Sequence, residues 1–148
     1  MFTTTVEGRF RTFLLVLAGC ICIGTVVELW LTEHTDGPLQ LLPFLLCGAG
    51  LLTVIVALLR PRQWTLLGLR LVMALLLAGS LLGIFHHIDG NYHFELEMRP
   101  NATASEVWID ALKGANPILA PGVLGLAAVL ALASTYAHPA LARPVNRH

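Results

Sequence analysis

The sequence predicts an all-α membrane protein: a four-transmembrane-helix up-down bundle closed on its outer side by a small cap. Two observations set the class. Of 148 residues, 56% are hydrophobic and only 12% charged, with a mean hydropathy of +0.75, which leaves too little polar surface to cover a soluble globule. Four apolar runs are separated by short polar turns and one longer polar segment. A third observation, the uneven placement of basic residues, gives the orientation. The length accommodates one domain. A net charge of zero provides no basic face for nucleic acid, so the lipid bilayer is the first expected partner.

The first span runs from about 13 to 32, roughly 20 residues, enough at ~1.5 Å per residue to cross a hydrocarbon core of ~30 Å. Trp30 stands near its end, where an amphipathic ring belongs. The same region also reads as a signal peptide, with Arg9 and Arg11 ahead of an apolar stretch and a lipobox-like Leu17-Ala18-Gly19-Cys20. The apolar run continues from Ile21 through Leu31 without a polar tether, which favours an uncleaved helix.

Glu33 to Pro38 form a polar turn, and the second span runs from about 39 to 59. Pro43 falls in its first turn, where a missing amide hydrogen costs little. Arg60 to Gln63 make the next turn, and the third span covers about 64 to 86. Its Gly79 and Gly83 give a small-xxx-small spacing that lets a neighbouring helix approach. The fourth span covers about 117 to 137, with Gly122, Gly125 and Ala128 on a narrow face. Such faces suit packing against other membrane subunits or self-association.

Arg9, Arg11, Arg60, Arg62, Arg143 and Arg147 fall on the side of the termini, with Arg70 near enough to snorkel there. Only Arg99 and Lys113 fall opposite. Both termini are therefore expected in the cytoplasm.

The outer cap covers about 88 to 116. Tyr92, Phe94, Leu96 and Met98 alternate with His93, Glu95 and Glu97, the period-two pattern of a strand. Thr103 and Glu106 form a capping-box pattern that opens a short helix to Lys113, stopped by Gly114. Trp108, Ala111 and Leu112 share a face of it, which predicts an interfacial helix. Asn101-Ala102-Thr103 fits a glycosylation sequon, a match expected by chance.

The outer end carries the chemistry-bearing side chains. Glu28, Glu33, Asp36, Asp89, Glu95 and Glu97 join four of the six histidines, His34, His86, His87 and His93. Imidazole with carboxylate suits a divalent transition metal. The candidate ligands are His86, His87, His93, Glu95, Glu28 and His34, with His93 and Glu95 on one side of the expected strand and His86 or His87 continuing the glycine face. The plainer alternative is a solvated polar cluster at helix ends, since the spacing matches no His-Glu-x-x-His signature. A haem held by two helices is disfavoured because no second histidine lies deep in a facing span. Glu28 falls about one turn inside the bilayer, where a charge seeks a partner or a wet cavity; His86 and His87 lie at similar depth, and snorkelling beside Trp30 is the alternative. Gln40 stands at the same surface.

The three cysteines, Cys20, Cys22 and Cys47, lie in apolar runs as small hydrophobes, so neither a disulfide nor a cysteine metal site is expected. There is no nucleophile elbow, phosphate loop, paired-cysteine motif or dinucleotide fingerprint. No inverted repeat marks a transporter.

The pair Glu28-Leu29, the run His87-x-x-Gly90-Asn91-x-x-Phe94-Glu95-x-Glu97, the segment Asn116 to Gly122 and the stretch Tyr136-Ala-His-Pro-Ala140 together resemble an uncharacterised family of small bacterial four-helix membrane proteins. The resemblance implies a bacterial inner-membrane location and carries no activity. The resulting expectation is a non-catalytic membrane accessory or assembly protein, with a divalent-metal protein as the alternative.

Overall fold

The structure, a computed structural model, describes residues 6–142, so Arg143 and Arg147 lie outside the described residues. Five α-helices follow one another: α1 (Val6–Leu31), α2 (Pro38–Leu59), α3 (Gln63–Met98), α4 (Ala104–Ala111) and α5 (Leu119–Ser134), then a 3-10 turn at Pro139–Leu141. The described residues contain no strand.

The four longer helices form a square. α1 packs against α2 and α5, and α3 packs against the same two from the opposite corner. Leu15, Ala18 and Cys22 meet Cys47, Val54 and Ala57 in the middle, with Leu69, Met73, Leu76, Leu124 and Ala128 closing the core. Most of each long helix faces outward; only 22–28% of its apolar window is buried, and Phe13, Leu45, Leu52 and Leu71 are exposed. In water such faces would associate without limit, whereas lipid solvates them. α1, α2 and α3 are long and apolar enough to cross a membrane, and α5 is a shorter apolar helix. At 16 residues it extends roughly 24 Å.

The boundaries follow local chemistry. α1 starts seven residues before the apolar run because Glu7 suits the first turn and pairs with Arg11 at 3.5 Å. Pro38 takes the first position of α2, so Pro43 falls in its second turn rather than its first. Having no amide hydrogen, Pro43 leaves the Leu39 carbonyl without its helical donor.

The largest departure is the expected strand, since α3 continues unbroken for 36 residues. Extending a formed helix adds a hydrogen bond per residue without a new nucleus. Ile88, Asn91, Tyr92, Glu95 and Leu96 are at least partly buried while His93, Phe94, Glu97 and Met98 are exposed, a helical spacing. Over seven residues the two periods share Tyr92 and Leu96, which is how the alternation misleads.

α3 is the ruler for everything after it. Arg99 at its end meets Asp110 at 2.5 Å, Asn91 bonds Ala111 and Asn116, and His87 bonds Pro117. Ser80 donates to the Pro121 carbonyl at 2.6 Å, and Arg70 reaches Thr135. The chain thus returns antiparallel along the full length of α3, with α4 lying beside its outer extension. The small residues permit this approach: a Cβ on Gly83 would lie 3.0 Å from Pro121 Cβ, and one on Gly125 would lie 2.6 Å from Ser80 Oγ.

At the other end, Arg70 is no free snorkel. Its Nε donates to Thr135 Oγ1 at 2.8 Å and an Nη to the Thr135 carbonyl at 3.0 Å. Arg11 donates to the Tyr136 and Ala137 carbonyls at 3.4 and 3.2 Å. Two arginines from different helices therefore bond the carbonyls of Thr135, Tyr136 and Ala137 just past the end of α5, where cations are favoured, and bring both ends of the described chain to the arginine-rich side.

Candidate functional site

At the opposite end the four corners of the bundle splay into a cavity of about 430 Å³. Its rim is formed by Thr32, Leu39, His87 and Pro117, and its floor by Thr25, Leu46, Gly79 and Leu124. Glu28, His34, Gln40, His86, His87 and Asn116, with the hydroxyls of Thr25, Thr32 and Ser80, supply its polar lining on otherwise apolar walls. Four of the six sequence-nominated residues, Glu28, His34, His86 and His87, thus share one space.

Each is held differently. His87 is partly buried, and its Nδ1 lies 2.9 Å from the Pro117 carbonyl. A carbonyl only accepts, so Nδ1 carries the hydrogen and Nε2 keeps its lone pair when neutral. The bond is possible because Pro121, four residues on, has no amide hydrogen to offer Pro117. Gln40 accepts from the Asp36 amide at 2.8 Å, tying the first turn to the start of α2. Glu28 and His86 are exposed and His34 is partly buried. Among the described residues, no ion pair joins Glu28 to either expected histidine partner.

His93 and Glu95 stand apart on the outer extension of α3. On a strand they would share a side; on a helix, positions two apart point about 200° away from each other. His93 Nε2 instead faces Asp89 at 3.7 Å, and Glu95 is engaged by Arg99 at 2.9 Å. Among the described residues, no three His, Cys, Asp or Glu side chains are grouped to hold a metal ion.

The cap around this extension is more ordered than its polarity suggests. Asn91 is 2% exposed. Its Nδ2 donates to the Ala111 and Asn116 carbonyls, and its Oδ1 accepts from the Asn116 amide, each at 2.9 Å. A Cβ on Gly114 would collide with the Asn91 side chain. Val107 and Ala111 are the buried positions of α4, so of the three residues read on one face only Ala111 points into the protein. Trp108 packs on Tyr92 with ring centroids 5.5 Å apart while remaining 52% exposed, and Ile109 and Leu112 also face outward. Arg99 bridges Glu95 and Asp110, and these two carboxylates, Asp110 first, raise its pKa further.

The capping box is present in the structure. Glu106 accepts from the Thr103 amide and hydroxyl, both at 2.8 Å. The amide bond first and the hydroxyl bond second hold its carboxyl below the ordinary 4.5, with a smaller pull from Arg99. Because the folded pKa is the lower one, the cap's contribution is complete above pH ~4.5 and is lost as pH falls through the folded value. Amide-exchange protection of Val107–Leu112 should therefore drop between pH 6 and 3 in the wild type, and Glu106→Gln should flatten that dependence.

The sequence reading gives neither Asn91 nor Arg99 a structural role. The available signal was an asparagine following a glycine in a continuous helical register, with Gly114 the matching small residue. No protein-family model, curated protein or solved structure matches this chain.

Proposed function

We propose that the chain is a non-catalytic accessory protein of a bacterial inner membrane: four spans, arginine-rich end in the cytoplasm, working through its outer end on a partner subunit. The observation supporting this most is the mouth cavity. It is preformed by four helices, apolar along its walls, and lined by a carboxylate and imidazoles of which Glu28, His34 and His86 have no side-chain hydrogen bond or ion pair among the described residues. A largely apolar concavity with a few convergent polar groups is the usual form of a binding socket. The outer end is acidic around it, with Glu33, Asp36 and Asp89 nearby in sequence and Arg99 already committed to Glu95 and Asp110. Its occupant is accordingly a cationic outer segment of a second membrane protein. Fitting the fourth span to the bilayer relies on α5 together with the segments that flank it, and the outward Trp108, Ile109 and Leu112 suit the headgroup layer.

A tagged chain isolated from native membranes in mild detergent tests this. One partner should accompany it stoichiometrically and be released by Glu28→Lys. Recovery of the wild type alone, after in-membrane cross-linking, would refute the reading.

One observation favours the divalent-metal alternative. A histidine donating Nδ1–H to a carbonyl, as His87 does, has the orientation usual for a metal-bound imidazole. Elemental analysis separates the two readings: a stoichiometric divalent metal lost in His86→Ala and His87→Ala would select the second.

A further inference from the structure

The end of the bundle away from the mouth carries the opposite charge. Of the nine acidic residues, only Glu7 lies there, and it pairs with Arg11. Arg11 and Arg70 are turned onto the carbonyls that follow α5. Arg60 and Arg62, in the turn between α2 and α3, are exposed and join no ion pair among the described residues. The turn that carries them is fixed. The Arg62 amide donates to the Arg60 carbonyl at 2.8 Å, closing a three-residue turn centred on Pro61, whose ring holds φ where such a turn needs it. Thr65 Oγ1 accepts from the same amide at 2.9 Å and donates to the Arg60 carbonyl at 2.6 Å, which ties the turn to the start of α3. Two guanidinium groups therefore spring from one rigid point, on residues whose Cα atoms are at most about 7 Å apart. Their flanks are apolar: Leu59 is 76% and Trp64 80% exposed. The 22 residues of α2 extend roughly 33 Å, close to a hydrocarbon thickness of ~30 Å, so the short connection from its end to α3 stays within the headgroup layer.

We propose that the Arg60–Arg62 turn is a binding site for an anionic phospholipid, its phosphodiester on the two guanidinium groups and an acyl chain along Leu59 and Trp64. A guanidinium fork grips a pair of phosphate oxygens, and basic clusters beside a membrane span attract anionic lipid. No carboxylate competes, because the one acid at this end is engaged by Arg11. A zwitterionic lipid brings its own cation beside the phosphate and gains less from two arginines. Free phosphate makes the same charged contact and lacks the apolar one, which the exposed leucine and indole offer only to a chain lying in the bilayer. Either leaflet can supply the ligand, so the site is independent of the orientation of the chain and of the socket at its other end.

Trp64 reports on the site directly. In a Trp30→Phe/Trp108→Phe background, the chain is reconstituted in phosphatidylcholine vesicles and its fluorescence quenched with bromine-labelled phosphatidylglycerol or bromine-labelled phosphatidylcholine. The association constant should favour phosphatidylglycerol about tenfold. It should fall to near parity in Arg60→Gln/Arg62→Gln and keep an intermediate value in Arg60→Lys/Arg62→Lys, where the charge remains without the fork. Lys113→Gln, at the far end, should leave it unchanged, and inorganic phosphate at matched ionic strength should not displace the lipid. Thermal melts of the glutamine variant should match the parent chain, since neither guanidinium has an ion-pair partner to lose. The proposal fails if the folded parent chain shows no preference, if the preference survives Arg60→Gln/Arg62→Gln, or if inorganic phosphate abolishes it, which would assign the turn to a free anion.

Discussion

Replacing Asn91 with alanine should cost about 3 kcal/mol and detach the outer cap from α3. One side chain makes three hydrogen bonds at 2.9 Å to the Ala111 carbonyl and to both backbone groups of Asn116, inside a contact that excludes solvent. Each buried group left without a partner costs about 1–3 kcal/mol, and partial hydration of the loosened loop offsets some of the sum. Gly114→Ala should do comparable damage by the opposite means, forcing a methyl onto the Asn91 side chain. The two losses should not add, because the smaller side chain at position 91 makes room for the methyl at 114. Thermal unfolding of the two single variants and the double variant in detergent, with amide exchange at Val107–Leu112, measures both claims. Additive losses, or an undisturbed cap in Asn91→Ala, would contradict them.

The second large effect is expected at the arginine-rich end. Arg70→Met should destabilise the bundle by about 2–3 kcal/mol, since hydrogen bonds from a charged donor contribute about 1.5–3 kcal/mol and this side chain makes two, to the hydroxyl and carbonyl of Thr135. Arg70→Lys should recover part of the loss, because an ammonium is a point donor and lacks the guanidinium fork. A free snorkelling arginine would be replaced by methionine almost without cost. Thermal melts of Arg70→Met and Arg70→Lys therefore distinguish a cap on α5 from a tether to the headgroups.

What the sequence made legible depended on which interactions were local. Helix α2, the turn at Arg60 and the pairing of Thr103 with Glu106 rest on neighbours a few residues apart, and hydropathy or capping chemistry finds them. The outer half of α3 did not yield to the same reading. Period two and period 3.6 coincide at Tyr92 and Leu96, and what decides between them is continuity with the apolar helix before them. His93 and Glu95 were placed in the candidate site by that misreading, whereas Glu28, His34, His86 and His87 were brought together by being near helix ends on one side of the bundle. Asn91 and Arg99 were illegible for another reason. Asn91 meets Ala111 and Asn116, and Arg99 meets Asp110, because α4 and the segment after it fold back beside α3, which no window along the chain samples.

The one-sided ladder on α3 bears on how the protein is made. A nascent chain halted before Pro117 would present Arg70, Ser80, Gly83 and His87 to lipid with none of the groups that receive them in the finished bundle. That is a polar, notched stripe that lipid solvates poorly. Arrival of the last helix is thus the event that covers it, and a lesion in α5 should expose the whole stripe at once rather than a single side chain.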